Sequence, residues 1–435
     1  MIDDSSNVNM LGIVGASGVV GYELLKILIA DGYSDIRICG SDASVGKKLL
    51  CDDIVFSFDL LNYEFFDGLD VVFFCADNDV SRIWVPVALH REIFVIDNSS
   101  YFRMNKDIPL IVPEINGHLI NKSSLIANPN CCTAILCMAL HPLIKKNKIT
   151  RIDVSTYQAV SGAGKMGTKE LELECAQFVH GLDVGLDAKI VNHTGVFKSQ
   201  IFNNCFSHNS SIDLVSGYND EELKIISETK KILDYDVAIS ATCIRVPIMR
   251  AHSESVKIVF DNPTTDDKIR EILSKAEGIT LIDDRKGNKF PEPCLATNNN
   301  NILVGRIRKD FCDTTNTVFH LFICGDQLLK GAALNAFQIF KKHKKYKKLI
   351  TTKNALEYQL KFISEHSYDW YHSMSIDDLV SILEKSYPKL IYRFSPDVPS
   401  YTYLLDLPYY AWSDTSIREL KNTYDDTIVE LAQYA

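Results

Sequence analysis

Three glycines spaced by three, Gly15, Gly18 and Gly21, decide what the first part of this chain can become. An apolar run from Met10 to Val14 leads into them, and Val20, Leu24, Leu25 and Leu28 follow at the spacing of one helix face. Strand, glycine turn and amphipathic helix in that order open a βαβ unit. Its backbone can approach a pyrophosphate, which the helix N-terminus then holds. The pattern continues with strands expected at 36–39, 70–75 and 93–96 and helices at 18–30 and 79–90, which implies a parallel sheet covered on both faces. From 150 the strands lengthen (151–159, 242–248, 253–260, 316–324), with helices near 165–180, 220–233 and 265–276, as in an α+β domain. The fold class expected is therefore α/β: a Rossmann-type nucleotide-binding domain, an α+β catalytic domain, and a small, mainly helical C-terminal domain.

Two residues far apart in sequence suggest the chemistry. Cys131 lies in Ala127-Asn-Pro-Asn-Cys-Cys-Thr133, immediately before an apolar helical pattern from Ile135 to Leu143. A thiol at a helix start faces unpaired N–H groups and the positive end of the dipole, which favour thiolate near neutrality. His252 follows Arg245-Val-Pro-Ile-Met-Arg-Ala251 and precedes a strand-like run, where an imidazole can exchange protons in a cleft. Singly, a cysteine is more often a small core residue and a histidine a satisfied polar one. Beside a dinucleotide fold, the pair points to oxidative acyl transfer through a thioester.

These features sit within seven ordered stretches: GASGVVG at 15–21, DNSSYFRM at 97–104, VPEIN at 112–116, ANPNCCTA at 127–134, YQAVSGAGK at 157–165, IRVPIMRAHSESV at 244–256 and GDQLLKGAALNAFQI at 325–339. Together they make residues 8–343 resemble the aspartate-β-semialdehyde dehydrogenases. The resemblance implies NADPH-dependent conversion of L-4-aspartyl phosphate to aspartate semialdehyde and phosphate, on the route to lysine (through diaminopimelate), threonine and methionine. It implies Cys131 as nucleophile, His252 as acid–base group, Asn130 as an oxyanion donor and Gln158 as the residue orienting the acyl group. Arg245 would grip the α-carboxylate, a bidentate task suited to guanidinium. Glu221 would meet the α-ammonium, with Lys224 and Arg103 near phosphate. Gly15, Ala16, Ser17, Gly18, Val19, Val20, Gly21, Ser41, Ser161, Gly162 and Gln327 match cofactor contacts. The domains implied are 1–130 with 325–345 for the nucleotide, 131–324 for catalysis and dimerisation, and 349–435 as an extension, in a homodimer or homotetramer. A related alternative is N-acetyl-γ-glutamyl-phosphate reductase, whose substrate has no free ammonium to pair with Glu221. A binding protein without catalysis, serving the tail, is the other.

Three positions depart from the family pattern. Cys132 replaces a serine, which opens the question of a disulfide with Cys131. Asp77 replaces a glycine against the cofactor. Ala43 replaces an arginine for the NADP 2′-phosphate, while Asp42 stands where an NAD-type acidic residue would meet a ribose hydroxyl. Lys47 and Lys48 remain for a 2′-phosphate. The reading is NADP, with NAD as competitor.

Composition excludes other classes. The net charge of −10 argues against nucleic-acid binding. The first residues, Met1 to Val8, lack the basic start and apolar run of a signal peptide, and no apolar run reaches the roughly 18 residues of a membrane span. Twelve cysteines without regular spacing suggest reduced thiols in a cytoplasmic setting, and no Cys-x-x-Cys pair suggests a metal.

The charge is uneven. Residues 349–435 hold 13 acidic against 7 basic residues and 11 of the 19 tyrosines. They follow the run Lys341-Lys-His-Lys-Lys-Tyr-Lys-Lys348, expected to end the helix at 327–342 and mark a boundary. Ser375 to Asp378 should cap a helix carrying Leu379, Ile382 and Leu383 on one face. Trp370, Pro388, Arg393–Asp397, Leu404–Leu407 and a last helix near 415–433 resemble the small acidic IscX-like accessory proteins of iron–sulfur cluster assembly, implying a protein partner for the tail. A helical appendage that packs on the enzyme or aids oligomerisation is the other expectation.

Overall fold

The computed structural model describes residues 10–180 and 195–367. Within 370–434 it describes all but 372–373, 388–389, 393–394, 401–403, 405–406, 408–410 and 412. Met1–Asn9, Pro388, Arg393 and Trp412 thus lie outside the described residues. By contacts the chain divides in two: Met10–Gly117 with Lys122–Ile339, and Phe340–Ala435 with His118–Asn121.

The larger unit holds two seven-stranded sheets. The first comprises β1 (Leu11–Val14), β2 (Ile36–Cys39), β3 (Lys48–Cys51), β4 (Ile54–Asp59), β5 (Val71–Phe74), β6 (Phe94–Asp97) and β7 (Leu125–Ala127), in the order β3-β4-β2-β1-β5-β6-β7. All its pairs are parallel except β3 with β4. That hairpin turns on Asp52 and Asp53, both at positive φ, a conformation for which Asn-Gly is the usual sequence signal. Helices α1 (Val19–Ala30) and α2 (Asn78–His90) connect parallel strands, as the alternating pattern requires. Helix α3 (Cys131–Ile144) leads into the second sheet.

The second sheet contains β8 (Ile149–Gln158), β9 (Phe206–Ser207), β10 (Ala238–Arg245), β11 (His252–Phe260), β12 (Ile279–Leu281), β13 (Ile302–Lys309) and β14 (Val318–Gly325), ordered β12-β13-β14-β11-β8-β10-β9. Strand β10 lies earlier than the expected 242–248. It pairs in parallel with β8 from Ala238 to Arg245 and stops before Pro247, which has no N–H to donate. Helices α4 (Gly164–His180), α5 (Asp220–Leu233) and α6 (Asp266–Ser274) accompany this sheet. Helix α3 is buried along most of its length in the core that the sheet forms with α5 and α6.

The expected helix at 327–342 is two pieces. A π-turn at Leu329–Ala333 packs on α1 and α3, and helix α7 follows at Leu334–Glu365. Helix α7 does not stop at the lysine run. Lysine is a good helix former and the segment holds neither glycine nor proline, so a charged surface stretch extends the helix. In the smaller unit, α8 (Ile376–Ser386) is capped by Ser375, whose side chain accepts from the Asp378 N–H. The strands β15 (Leu390–Tyr392) and β16 (Ser395–Ser400) pair antiparallel, and α9 (Asp414–Leu431) closes the chain. Phe362, Leu379, Leu383, Tyr387 and Leu404 are buried together with Trp370, on which His366 stacks at 3.8 Å. Lys345 pairs with Glu430 at 2.6 Å.

Gly21 explains the third glycine of the opening motif. A Cβ there would lie 2.3 Å from the Gly15 carbonyl oxygen and 2.8 Å from Ala16 Cα, both rigid backbone. Gly21→Ala should therefore force α1 off the sheet at a cost of about 1–3 kcal/mol. Urea unfolding checks this; an unchanged midpoint would mean that α1 can tilt without loss.

Candidate active site

Helix α3 begins at Cys131 because Asn130 caps it. The Asn130 side-chain oxygen accepts from the Thr133 N–H at 3.1 Å, its Nδ2 donates to Glu221 Oε1 at 2.8 Å, and its backbone N–H donates to Glu228 Oε2 at 2.7 Å. Both glutamates come from α5, where Glu221, Ile225, Glu228 and Ile232 form one buried stripe. A capping box of Asn219 and Glu222 fixes the start of that helix. The stripe thus delivers two carboxylates to the N-terminus of α3.

Cys131 is half-buried and Cys132 fully buried. The neighbouring Cys132 and His252 side chains lower the Cys131 thiol well below the ordinary thiol range, against burial and the charge of Glu221. The Cys132 thiol is pushed well up by burial and by its neighbour. Both sulfurs are free.

His252 is fully buried at the start of β11. Its Nδ1 accepts from the Ala159 N–H at 2.9 Å, so the ring carries its proton on Nε2. That Nε2 has no partner. The Ala159 carbonyl accepts from Arg245 Nη1 at 2.8 Å, so one peptide unit on each side of Ala159 holds both the histidine and the arginine. Arg245, also buried, donates through Nη2 to His208 Nε2 at 2.7 Å and to Asn209 at 3.3 Å, leaving its Nε unpaired. Gly162 lies against this pair: a Cβ there would be 3.3 Å from Arg245 Nη1 and from His252 Nε2.

Gln158 ends β8 and donates to Glu221 Oε1 at 3.1 Å. Burial raises the Glu221 carboxyl, but His208, Lys224 and the amides of Asn130 and Gln158 outweigh it and hold the pKa at about 2. Lys224 Nζ is 3.5 Å from Glu221. Cys131, Asn130, Gln158, Glu221, Lys224, Arg245 and His252 are therefore brought to one place. Arg103 joins them from below. It donates to the Asn128 and Asn98 carbonyls and to Glu228, which commits three of its five N–H groups to the protein. Gln327 accepts from the Ala251 N–H and donates to Ser161, and so braces the positive-φ residue just before His252. Sequence reasoning missed Glu228, Ala159 and His208. For Glu228 a signal existed, an acidic residue interrupting the apolar stripe of α5.

Sulfur atoms of Cys131 and Cys132 and a ring nitrogen of His252 lie within 4.8 Å of one another. That spacing would suit a soft metal. However, the Ala159 hydrogen bond occupies Nδ1 and leaves the proton on Nε2, so the ring offers no lone pair there.

At the other end of the cleft, Gly15 has φ of 90° and sits where a Cβ would meet the Cys75 carbonyl oxygen at 2.5 Å. Gly18 caps α1 without any side-chain bond, so the first-turn N–H groups of Val19, Val20 and Gly21 have no helical acceptor and suit a pyrophosphate. Ala16 is buried beneath the loop and Ser17 partly open. Ser17, Ser41 and Ser44 gather their hydroxyls at the end of β2, with Asp42 and Ala43 exposed between them. Asp77 caps α2, accepting from the Val80 N–H, which gives that departure a structural use. Arg250 ties the two ends together, donating to Asp326 beside Gln327 and to Glu23 on α1 at 2.9 Å.

Residues 10–123 match the semialdehyde dehydrogenase NAD-binding domain family and residues 140–330 the semialdehyde dehydrogenase dimerisation domain family. The aspartate-semialdehyde dehydrogenase of Prochlorococcus marinus is 39% identical over 335 residues, covering 76% of this chain and 94% of that protein. That of Bacillus subtilis is 38% identical, covering 77% and 97%. The crystal structure of aspartate semialdehyde dehydrogenase II complexed with ASA from Vibrio cholerae superposes with a TM-score of 0.72 at 31% identity, over 78% of this chain and 99% of that one. The chain belongs to the aspartate-semialdehyde dehydrogenase family.

Proposed function

We propose that this enzyme reduces L-4-aspartyl phosphate through a thioester on Cys131, with His252 as the donor to the reacting oxygen. The observation that carries this is the unpartnered Nε2 of His252, in a ring within 4.8 Å of the Cys131 sulfur, whose thiol is lowered well below the ordinary range. The thiolate attacks the acyl carbon, a C–S bond forms, and the C–O bond to phosphate breaks. The reduced nicotinamide supplies the hydride that takes the thioester to the aldehyde level. The oxyanion then collapses, the C–S bond breaks, and aldehyde and thiolate are returned. At each tetrahedral stage negative charge grows on the same oxygen, and a fixed N–H in a dry site stabilises it more than it stabilises the planar carbonyl. Asn130, Gln158 and the helix start surround that oxygen's site and support the acyl group.

Arg245 grips the α-carboxylate, Glu221 the α-ammonium, and Lys224 with the remaining N–H groups of Arg103 the phosphate. A buried anionic Glu221 favours a free ammonium and disfavours an acetylated amine, which is the physical argument against the N-acetyl-γ-glutamyl-phosphate reductase reading. Gly15–Gly21, Ser41, Ser161, Gly162 and Gln327 line the cofactor path. We assign NADP as cofactor, with the 2′-phosphate among Ser17, Ser41, Ser44 and Lys47; Asp42 is the feature that favours NAD. The match to a dimerisation domain and the exposed Leu214, Val215 and Phe311 support a homodimer. Twelve free cysteines support a reducing, cytoplasmic setting. Among the described residues no helix is long and apolar enough to cross a membrane. The segment 349–435 is read as an added module with its own apolar core and its own protein partner.

Phosphate-dependent reduction of NADP with aspartate semialdehyde tests the activity. Cys131→Ala should lower turnover by more than about a thousandfold; an active variant would remove the thioester from the mechanism. Arg245→Lys should lower kcat/KM for the aldehyde by about 1.5–3 kcal/mol, the worth of a lost charged hydrogen bond. The cofactor KM should stay in place, and a rise in that constant alone would reassign the arginine.

Cofactor choice has its own test. Asp42 repels a 2′-phosphate where it stands, so the NADP to NAD ratio of kcat/KM in the wild type should be modest. Asp42→Ser with Ala43→Arg should raise that ratio by about tenfold or more. A wild type that already prefers NADP by several orders of magnitude would show that Asp42 points away from the ribose.

A further inference from the structure

His208 takes part in no bond-making step, yet hydrogen bonds run from it toward both ends of the substrate cradle. Strand β9 pairs antiparallel with β10, Phe206 opposite Arg245, and the His208 N–H donates to the Cys243 carbonyl at 2.8 Å. The ring is thereby set beside the guanidinium. Arg245 carries only donors, so its Nη2, 2.7 Å from His208 Nε2, donates to a lone pair there. A neutral ring with that lone pair carries its proton on Nδ1, which donates to Ser210 Oγ at 3.1 Å. The Ser210 N–H also lies 3.3 Å from Nδ1, but a protonated nitrogen cannot accept from it. The same Ser210 hydroxyl oxygen accepts from the Glu221 N–H at 3.3 Å, in the first turn of α5, where helical partners are lacking. An unbroken chain thus joins Arg245, His208, Ser210 and Glu221.

We propose that His208 is a positioning residue for substrate selection: through Ser210 it links the arginine that grips the α-carboxylate to the helix start that carries the glutamate for the α-ammonium, and so fixes their spacing. The proposal rests on Arg245 and Glu221 having those two substrate roles. A carboxylate and an ammonium on one carbon stand at a fixed separation. A site that reads both needs its own two charges locked at a matching one. Arg245 is held on three sides, by the Ala159 carbonyl at Nη1, by His208 at Nη2 and by the Phe197 ring, 5.5 Å from the guanidinium carbon. Its Nε is left, buried and without a partner among the described residues, for the carboxylate. Glu221 is fixed in the same manner, by Asn130 and Gln158 at its carboxylate and by Ser210 at its backbone. Burial, with the charges of Arg245, Lys224 and His252 and against that of Glu221, holds the His208 ring down at about 4, so it stays a neutral acceptor.

The test is steady-state kinetics of the full chain with aspartate semialdehyde, phosphate and NADP. His208→Ala should raise KM for the aldehyde about tenfold, the loss of one charged hydrogen bond. The KM values for phosphate and NADP should stay within about twofold and kcat within about threefold, since only recognition of the amino-acid head is loosened. His208→Gln, whose amide oxygen can accept from Arg245, should recover most of the loss. Ser210→Ala should raise the aldehyde KM about threefold. The double alanine variant should be no worse than His208→Ala alone, because members of one chain are not additive. An unmoved aldehyde KM in His208→Ala overturns the proposal. A parallel rise in all three KM values overturns it too, since the histidine would then be a prop for its loop. A glutamine variant as weak as alanine, or an additive double variant, does the same. Should His208→Ala fail to fold, Ser210→Ala decides, and an unmoved aldehyde KM there breaks the chain. A wild type inactive on aspartate semialdehyde would fail the substrate reading itself, and this proposal with it. An active wild type with an unmoved His208 variant fails the proposal alone.

Discussion

Ala159 has no chemistry of its own, yet the site depends on its backbone. Its N–H fixes the tautomer of His252 and its carbonyl fixes the plane of Arg245. With Nδ1 engaged, the histidine presents a donor to the cleft and no lone pair. The same bond that suits it to a developing oxyanion makes it a poor metal ligand. Ala159 can do this because β8 has just ended at Gln158. The Gln158 carbonyl still accepts from Val246 N–H, and the chain then turns, so that the Ala159 N–H goes to a side chain and its carbonyl is shared between Arg245 and the Gly162 N–H.

Two buried cations here are each held by several partners. Lys330, 1% exposed, donates to Glu114, Asn335 and Gln338, the last two at 2.9 and 2.7 Å. Arg103 and Glu228 form a second closed set that ends on the Asn130 N–H. Such pairs cost desolvation and add little net stability, but breaking one leaves a buried charge alone, at about 3–5 kcal/mol. Their return is geometric. Lys330 anchors the π-turn that carries Gly331, where a Cβ would lie 2.8 Å from Cys131 Cβ, so the turn can press against the nucleophile only with glycine there. Arg103 and Glu228 set the height of the helix start that presents the same cysteine.

Much of this was legible from residue order, for identifiable reasons. The glycine motif constrains backbone directly, and β1, β2, β5 and β6 fell within about a residue of expectation because fully buried parallel strands are uniform apolar runs. The helix start at Cys131 was readable from Pro129-Asn130, since a capping residue acts on its own helix. What was not legible acts across the fold. The β3–β4 hairpin turns on two aspartates without a glycine, and His208 reaches Arg245 from an irregular segment. Helix α7 passed through the lysine run because composition marks a surface, and a surface is no reason for a helix to end.

A cysteine at 132 sets a second thiol directly beside the nucleophile in the first turn of α3. A thiol is itself acidic enough to compete with the nucleophile, yet the Cys132 thiol is pushed well up while that of Cys131 is lowered. The asymmetry that achieves this is burial: Cys132 is sealed in the core with Ile135 and Leu136, while Cys131 stands at the helix mouth with His252 and Arg245 facing it. Glu254, buried nearby with neither carboxyl oxygen paired, has its carboxyl raised by burial and by the charge on Cys131. Two adjacent thiols can therefore differ in acidity because the fold buries one in the core and faces the other with His252 and Arg245.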